Sequence, residues 1–395
     1  MSYGNRPYLA ICLAIYSVLG LSLGCSHRET SDRSLSSDGF DRIPSRITNF
    51  VPALYSRSPI RRTIPNELPK NLNPNLSLLF HMMMLLGLET EVKIGERAER
   101  LIDIVSSDEL SKELLGSACI VLVNNGVRFP SESRGSGRSG DESHRDQSLC
   151  CFARLGIPLN HKLTVSGTEQ ELRFVLQDSI ANFDLRQTEL EWTATAYALY
   201  LPCLKQRNWT NKFGERFNFD QLVAELVGRD LSRASCGGTH ILIAASVLFR
   251  VNRVTPILGD KSAKQLRKYL VDCVQKAELA QLQNGEWPRN WAIGFSASEP
   301  SASALPDDIT PVLFTGHILE WLFTLPPEIQ PSPIVFDLAM SFSRSRTRRL
   351  NSENYFRNFC PYTHLLLALN STAVADAIAV GLDAKTIEQQ AGVQQ

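Results

Sequence analysis

The sequence predicts an all-α protein made of helical-hairpin repeats that form an α/α toroid, either complete or incomplete. About a dozen segments show the apolar spacing of helices, and no segment alternates convincingly as a strand would. Charged amphipathic segments alternate with shorter apolar segments rich in small residues. Because a helical hairpin cannot bury its apolar face alone, such units are expected to stack, with apolar helices inside and charged helices outside.

Length and composition allow one large domain or two medium ones with a sizeable core, and the charge balance argues against nucleic acid as a partner. The chain has 395 residues, of which 43% are hydrophobic. Lys plus Arg and Asp plus Glu each total 41, so no net charge draws in nucleic acid or an anionic membrane. The basic segment 344–349 is interpreted as a solvated loop or a helix end.

The N-terminus predicts export. Residues 8–24 are uncharged and mostly apolar, and as a helix they would span about 25 Å, which is short for a bilayer crossing. Residues 1–24 are therefore assigned as a signal peptide. Ser22-Leu23-Gly24-Cys25 resembles a bacterial lipobox, which implies lipidation of Cys25 and attachment to the cell membrane or outer membrane, facing the periplasm or exterior. A simple cleaved signal and an uncleaved anchor remain as alternatives.

The rest of the chain divides into a tether and one domain. Residues 25–65 are rich in Ser, Arg and Asp and predict a disordered tether. Residues 66–395 are assigned to the toroid-like domain, with a mobile low-complexity loop at 132–147. Seven cysteines follow Cys25, most of them among apolar neighbours, and Cys150-Cys151 is where a disulfide is most expected.

Helices are predicted wherever apolar residues recur every three or four positions. The first ones cover 75–88, 96–105, 111–126 with Gly126 as the stop, and 168–183 with Thr168 and Glu171 as a capping pair. The later ones cover 188–202, 220–231, 239–251, 262–282, 310–326, 333–345 and 361–378.

The turn between helices 262–282 and 310–326 has the sequence QLQNGEW. Gly285 is expected to adopt a positive φ, Trp287 to fold back on the neighbouring repeat, and Gln281 to bond backbone groups. Residues 169–203 loosely repeat the same order of outer helix, aromatic turn and inner helix. Gln-x-x-x-Gly-x-Trp resembles the QW repeat of the squalene-cyclase and prenyltransferase-β superfamily, whose members are α/α toroids. Only one good copy is found, and the superfamily's Asp-rich protonating motif is not recognisable.

A second resemblance is local. Gly316–Trp321 reads GHILEW, which resembles the Gly-His-x-x-Glu-Trp stretch of the N-acylglucosamine 2-epimerase family, also an α/α barrel. The resemblance implies that His317 and Glu320 face a sugar cavity. His317, Glu320 and Trp321 share one helix face, so Trp321 could stack on a pyranose ring.

Several residues are candidates for a site in the toroid cavity. The candidate catalytic residues are His317, Glu320, Asp308 and His240. The candidate ligand-binding residues are Trp321, Cys236 and Trp287. No metal is assigned, although Cys236 and His240 are weak candidates for zinc ligands. Packing or helix capping is the alternative for each residue, and His81 and His364 are expected to be core residues.

Two function classes follow. The first is an exported, lipid-anchored toroid that serves as a ligand-binding or scaffold module, and the lack of a complete catalytic signature favours it. The alternative is an envelope enzyme that acts on a carbohydrate or an isoprenoid in the barrel cavity. The sequence assigns no cofactor, substrate or oligomeric state.

Overall fold

A computed structural model describes residues 68–69, 72–94, 96–124, 126–131, 138–293, 306–348 and 350–379, with side chains up to 370. The predicted signal peptide, the lipidation site Cys25 and the tether lie outside these residues. The described part contains thirteen α-helices and four short β-hairpins, so the expectation of a mainly helical domain is confirmed. Among the described helices, none is both long and apolar enough to cross a membrane.

The helices run in chain order from α1 to α13. They are α1 (Leu76–Leu86), α2 (Leu101–Val105), α3 (Asp108–Leu115), α4 (Gln147–Arg154), α5 (Leu172–Ala181), α6 (Leu190–Tyr200), α7 (Phe219–Gly228), α8 (Thr239–Val254), α9 (Asp260–Ala280), α10 (Thr310–Thr324), α11 (Pro333–Thr347), α12 (Ser352–Arg357) and α13 (Phe359–Ala379).

Six of these helices are buried almost all round. Every residue of α1, α4 and α6 is buried, as is most of α8, α10 and the described side chains of α13. Helix α1 contacts α4, α4 contacts α6, α6 contacts α8, α8 contacts α10, α10 contacts α13, and α13 contacts α1. Apolar residues on all faces suit helices enclosed by others on every side.

The amphipathic helices cover this buried set. In α9 the buried residues include Leu266, Leu270, Cys273 and Ala277, which recur every three or four positions and form one face. Helix α9 packs on α8, α11 packs on α10 and α13, and α7 packs on α6 and α8. The predicted alternation of charged and apolar helices is therefore present in this part of the chain.

The described residues also form short strands, which the sequence pattern did not predict. The described residues contain four antiparallel hairpins, which are β1 (Glu91–Ile94) with β2 (Arg97–Arg100), β3 (Val121–Val123) with β4 (Gly126–Arg128), β5 (Lys162–Val165) with β6 (Thr168–Glu171), and β7 (Asn208–Thr210) with β8 (Arg216–Asn218). Strands β2, β6 and β8 run directly into α2, α5 and α7.

These hairpins correct several predicted helix boundaries. Thr168 lies in a strand and caps no helix, because Ser166 and Gly167 both adopt positive φ and form a tight two-residue hairpin turn. The helix predicted over 111–126 ends at Leu115, where Gly116 takes the left-handed conformation. Gly126 begins a strand instead of stopping a helix.

The QLQNGEW turn has the architectural role that its sequence predicts. The positive φ expected at Gly285 is confirmed at 90°. The Gln281 side-chain amide donates to the carbonyl of Val335 at 2.9 Å and to that of Gly285 at 3.3 Å. The Trp287 indole donates to the carbonyl of Ala277 at 2.7 Å, and its backbone N–H donates to Thr315 Oγ1 at 3.1 Å. The turn thus ties α9 to α10 and α11.

The structure also corrects the expectations for the low-complexity loop and for a disulfide. The described part of the low-complexity loop, residues 138–147, is packed: Gly140 donates to Ser117 Oγ at 2.8 Å, and buried Glu142 accepts from the Ser148 backbone N–H at 2.6 Å. No disulfide is present among the described cysteines, and Cys150 and Cys151 are buried free thiols.

Candidate functional site

Four buried histidines meet between four successive buried helices. We call His240 of α8, His317 of α10, His364 of α13 and His81 of α1 the histidine cluster. The ring centroids are 5.1 Å apart for His240 and His317, 3.6 Å for His317 and His364, and 5.2 Å for His364 and His81. Each ring lies on a different helix, so the contacts between neighbouring helices assemble the cluster.

One end of the cluster forms a set of metal-ligand atoms that we call the first donor set, namely Cys236, His240 and His317. Its sulfur and two ring nitrogens all lie within 4.8 Å of one another. His317 Nδ1 donates to the carbonyl of Leu313 at 2.9 Å, which leaves Nε2 with its lone pair. His317 Nε2 and both ring nitrogens of His240 are buried without a hydrogen-bond partner in the described structure. Unpaired buried nitrogens are costly unless a ligand satisfies them.

The backbone at Cys236 is held in a conformation that L-residues rarely adopt. Cys236, Gly237 and Gly238 have φ values of 52°, 63° and 77° in succession. A left-handed non-glycine residue costs on the order of 1–3 kcal/mol and persists only where its surroundings hold it. The Trp291 indole donates to the Gly237 carbonyl at 3.2 Å, and a Cβ on Gly237 would lie 2.7 Å from the Phe314 ring. The strained turn fixes the Cys236 thiol against the start of α8.

The other end of the cluster forms a second donor set, which contains His81, Cys360 and His364. Its three ligand atoms also lie within 4.8 Å of one another. His81 Nδ1 donates to the carbonyl of Ser77 at 2.6 Å. His364 Nδ1 donates to Glu320 Oε2 at 2.5 Å. In the neutral imidazole, a donated Nδ1–H leaves Nε2 as the nitrogen with a lone pair.

Glu320 is the only carboxylate bonded to the histidine cluster among the described residues, and it is paired with a buried cation. Its Oε1 accepts from Arg154 Nη2 at the end of α4, while its Oε2 accepts from His364. Burial alone would raise the pKa of Glu320, but the charge of Arg154 and the bond with His364 hold that pKa well below its usual range. Glu320 is thus an ionised group that orients His364.

Burial lowers the pKa values of His81, His240 and His317 and raises those of the Cys236 and Cys360 thiols. It lowers the pKa of His81 to about 3, with the neighbouring His364 adding to the effect. It also lowers the pKa values of His240 and His317 well below the usual range. Burial raises the pKa of Cys236 to about 12. Neutral imidazole is the form that binds metals, and a metal ion would displace the thiol protons.

His144 extends the site beyond His240. Its ring stacks on Trp192 with centroids 5.1 Å apart, and the Trp192 and His240 rings meet at 60° with centroids 4.7 Å apart. His144 Nδ1 bonds Glu189 Oε1 at 2.6 Å. Burial alone would raise the pKa of Glu189, but the bond from His144 outweighs it and lowers that pKa. His144 belongs to the loop that was expected to be mobile, so its place beside the site was not predicted.

A cavity of about 240 Å³ borders the first donor set. It is lined by Ser232, Ala234, Ser235, Cys236, Gly237, Arg289, Asn290, Ala292, Ile293, Leu313 and Phe314. Because Cys236 belongs both to the cavity wall and to the donor set, a small molecule in the cavity would lie beside the ligand atoms. The volume is below the roughly 300–1,000 Å³ of most ligand pockets, so the cavity suits a small ligand or the end of a longer one.

The structure separates the predicted site residues into two groups. It brings Cys236, His240, His317 and Glu320 together. Asp308 is exposed just before α10 and is absent from both donor sets. Trp287 is fully buried in the QLQNGEW turn, and Trp321 is fully buried with its indole donating to Ser246 Oγ at 3.1 Å. Neither tryptophan lines the cavity beside Cys236.

Comparison of the chain with protein-family models, with curated proteins and with solved structures finds no match.

Proposed function

We propose that this protein is an exported, lipid-anchored α/α toroid that holds a first-row transition metal in its interior and binds a ligand beside it. The observation that carries the proposal is the first donor set, whose three ligand atoms lie within 4.8 Å of one another. Two imidazoles and one thiolate suit zinc, which often takes three protein ligands and keeps one position open. The same set also suits copper.

The toroid part of the proposal is supported by the order of helix contacts. Each of the six buried helices contacts the next buried helix along the chain, and α13 contacts α1, as expected of an inner barrel whose ends meet. The charged helices pack outside this set. The QLQNGEW turn resembles the QW repeat in sequence, and its hydrogen bonds join neighbouring helical hairpins.

Ligand binding is supported by the cavity next to Cys236. A metal bound by the first donor set would lie against the wall of this cavity. An open coordination position there would bind a donor atom of a small molecule. The described residues that line the cavity do not form a complete set of acid and base groups, which favours binding over catalysis.

A second candidate function is an envelope enzyme that acts on a carbohydrate or an isoprenoid. The contact between the first donor set and the cavity favours it, because a zinc ion with three protein ligands can supply an activated water there. In this role Cys236, His240 and His317 would hold the metal. Ser235 and Arg289 would contact the substrate from the cavity wall.

The metal proposal predicts that the protein loses bound metal when a ligand of the first donor set is removed by substitution. We expect full-length protein, extracted in detergent and dialysed, to contain zinc or copper by elemental analysis. Cys236→Ser should lose about one equivalent because it removes the only sulfur of the set. The matched control is Cys203→Ser, which removes a thiol outside both sets.

The proposal fails if the wild-type protein contains no metal and also takes up no Zn²⁺ or Cu²⁺ in equilibrium dialysis. It also fails if Cys236→Ser keeps the full metal content of the Cys203→Ser control.

The export proposal has its own test. We expect the wild-type protein expressed in a bacterium to fractionate with membranes and to incorporate labelled palmitate. Cys25→Ala should remove the label and release the protein from the membrane fraction, because acyl chains on Cys25 supply the anchor. Cys12→Ala, a change within the apolar signal segment, is the control and should keep the label. An unlabelled wild-type protein would rule out the lipid anchor.

A further inference from the structure

The second donor set repeats a local sequence pattern of the first. Cys236-Gly-Gly-Thr-His240 and Cys360-Pro-Tyr-Thr-His364 both read Cys-x-x-Thr-His. Each pattern lies at the start of a buried helix, α8 in one case and α13 in the other. Cys360 and His364 both lie in α13, where a spacing of four residues places the thiol and the imidazole on one helix face. Cys236 instead precedes α8 in the left-handed turn and reaches His240 from there. Both threonines are buried and hydrogen-bonded: Thr239 Oγ1 donates to the Cys236 carbonyl, and Thr363 Oγ1 bonds the Tyr355 hydroxyl.

The third ligand comes from the next buried helix in both cases. In the first set it is His317 on α10, which packs against α8. In the second set it is His81 on α1, which packs against α13. Two separate places in the fold therefore combine a Cys-x-x-Thr-His pattern with one histidine from the neighbouring helix. This repetition is the observation that distinguishes the second set from a chance meeting of polar side chains.

Both imidazoles of the second set are held by hydrogen bonds at Nδ1, which leaves Nε2 as the nitrogen for a ligand. His81 Nδ1 is fixed by the Ser77 carbonyl and His364 Nδ1 by Glu320. A carboxylate or carbonyl on the second ring nitrogen is the usual support of a metal-bound histidine, because it sets the tautomer and raises the basicity of Nε2. The Arg154 cation in turn fixes Glu320. The support extends from α4 through α10 to α13.

We infer that His81, Cys360 and His364 form a second site for a first-row transition metal, which joins the last buried helix to the first. Zinc and copper both suit two imidazoles and one thiolate. Because the ligands come from α13 and α1, a bound ion would hold the two ends of the described domain together. Metal binding at such a site contributes directly to folding stability, since the ligands are separated in the unfolded chain. The second site shares no ligand with the proposed first site, so the inference does not require the first site to bind metal.

The second site is tested by metal stoichiometry in the full-length protein. We expect about two equivalents of Zn²⁺ or copper per chain in the wild type, and elemental analysis identifies which metal it is. Cys236→Ser and Cys360→Ser should each retain about one equivalent, the double variant almost none, and the control Cys203→Ser about two. His81→Asn should match Cys360→Ser, and it keeps the test available if Cys360→Ser fails to fold.

Loading with Co²⁺ gives a readout that a general loss of folding would not mimic. Thiolate-to-cobalt charge-transfer absorption should fall by about half in each single cysteine variant, because each site supplies one Co–S bond. Chelation should lower the thermal midpoint of the wild type by more than that of either single cysteine variant, because each bound ion stabilises the folded state and the wild type has two to lose.

The outcomes separate the two proposed sites. A wild type with one equivalent that is lost in Cys236→Ser and kept in Cys360→Ser overturns the second site and leaves the first. One equivalent lost only in Cys360→Ser overturns the first and leaves the second. Loss of both ions from each single variant, with the circular dichroism unchanged, overturns two separate sites in favour of one shared centre. Absence of metal and of Co²⁺ uptake overturns both.

Discussion

Gly285→Ala is expected to lower the free energy of unfolding by about 3–5 kcal/mol, from backbone strain and overpacking together. Gly285 has a φ of 90°, and an added Cβ would lie 2.1 Å from the carbonyl oxygen of Leu338 and 2.4 Å from its carbonyl carbon. The obstructing atoms belong to the backbone of α11, so relief requires movement of a whole helix. The bond from the Gln281 side chain to the Val335 carbonyl of α11 opposes that movement.

Gly214→Ala is the matched control for this prediction. Gly214 also has a positive φ, at 81°, but an added Cβ would have no other atom within 4 Å. Gly214→Ala should therefore lower the free energy of unfolding only by the roughly 1–2 kcal/mol that a left-handed conformation costs a non-glycine residue. Urea unfolding of both variants measures the difference. Equal losses at the two positions would show that α11 does not pack closely on Gly285.

Local chemistry explains which parts of the fold were predictable. The QLQNGEW turn could be predicted because its glycine, glutamine and tryptophan act within one turn and its immediate neighbours. The helices α1 and α10 could be predicted because their apolar residues extend around the whole helix. The hairpins could not be predicted, because strands such as Arg97–Arg100 are short, charged and exposed. A segment reading ERAER has good helical propensity, and pairing with Glu91–Ile94 overrides it.

The site was predictable only where its residues stood near a recognisable pattern. His240 and His317 were candidates because glycines, a cysteine or the GHILEW stretch marked them. His81, Cys360 and His364 were missed because each lies in an apolar segment that alone indicates core packing. The repeated Cys-x-x-Thr-His pattern was the signal that could have linked Cys360 and His364. His81 carries no such mark, and only the packing of α1 on α13 brings it to the site.

Arg154 was also missed, because nothing near it in the sequence indicates a partner. It ends a helix reading QSLCCFAR, and its partner Glu320 lies far along the chain on α10. Asp308 shows the opposite case. Its position before a predicted inner helix suggested a cavity-facing acid, but the side chain at that helix start is exposed. Burial at a helix start depends on the packing of neighbouring elements, which the sequence of one segment does not reveal.

The second large effect is expected at the buried pair formed by Glu320 and Arg154. Both side chains are almost fully buried, with 5% and 7% of their surfaces exposed. Glu320→Leu should lower the free energy of unfolding by about 3–5 kcal/mol, because it removes the carboxylate that compensates the buried Arg154 charge. It also removes the acceptor of His364 Nδ1–H. Chemical denaturation of the full-length protein measures the loss.

The double variant Arg154→Met/Glu320→Leu separates the charge effect from the loss of packing. If the buried Arg154 charge causes the loss, the double variant should be markedly more stable than Glu320→Leu alone, because neither charge remains buried. Even so, it should bind less metal at the second donor set, since His364 still lacks its carboxylate. Additive losses would contradict a buried ion pair. Full stability together with unchanged metal content would show that Glu320 neither pairs with Arg154 nor orients His364.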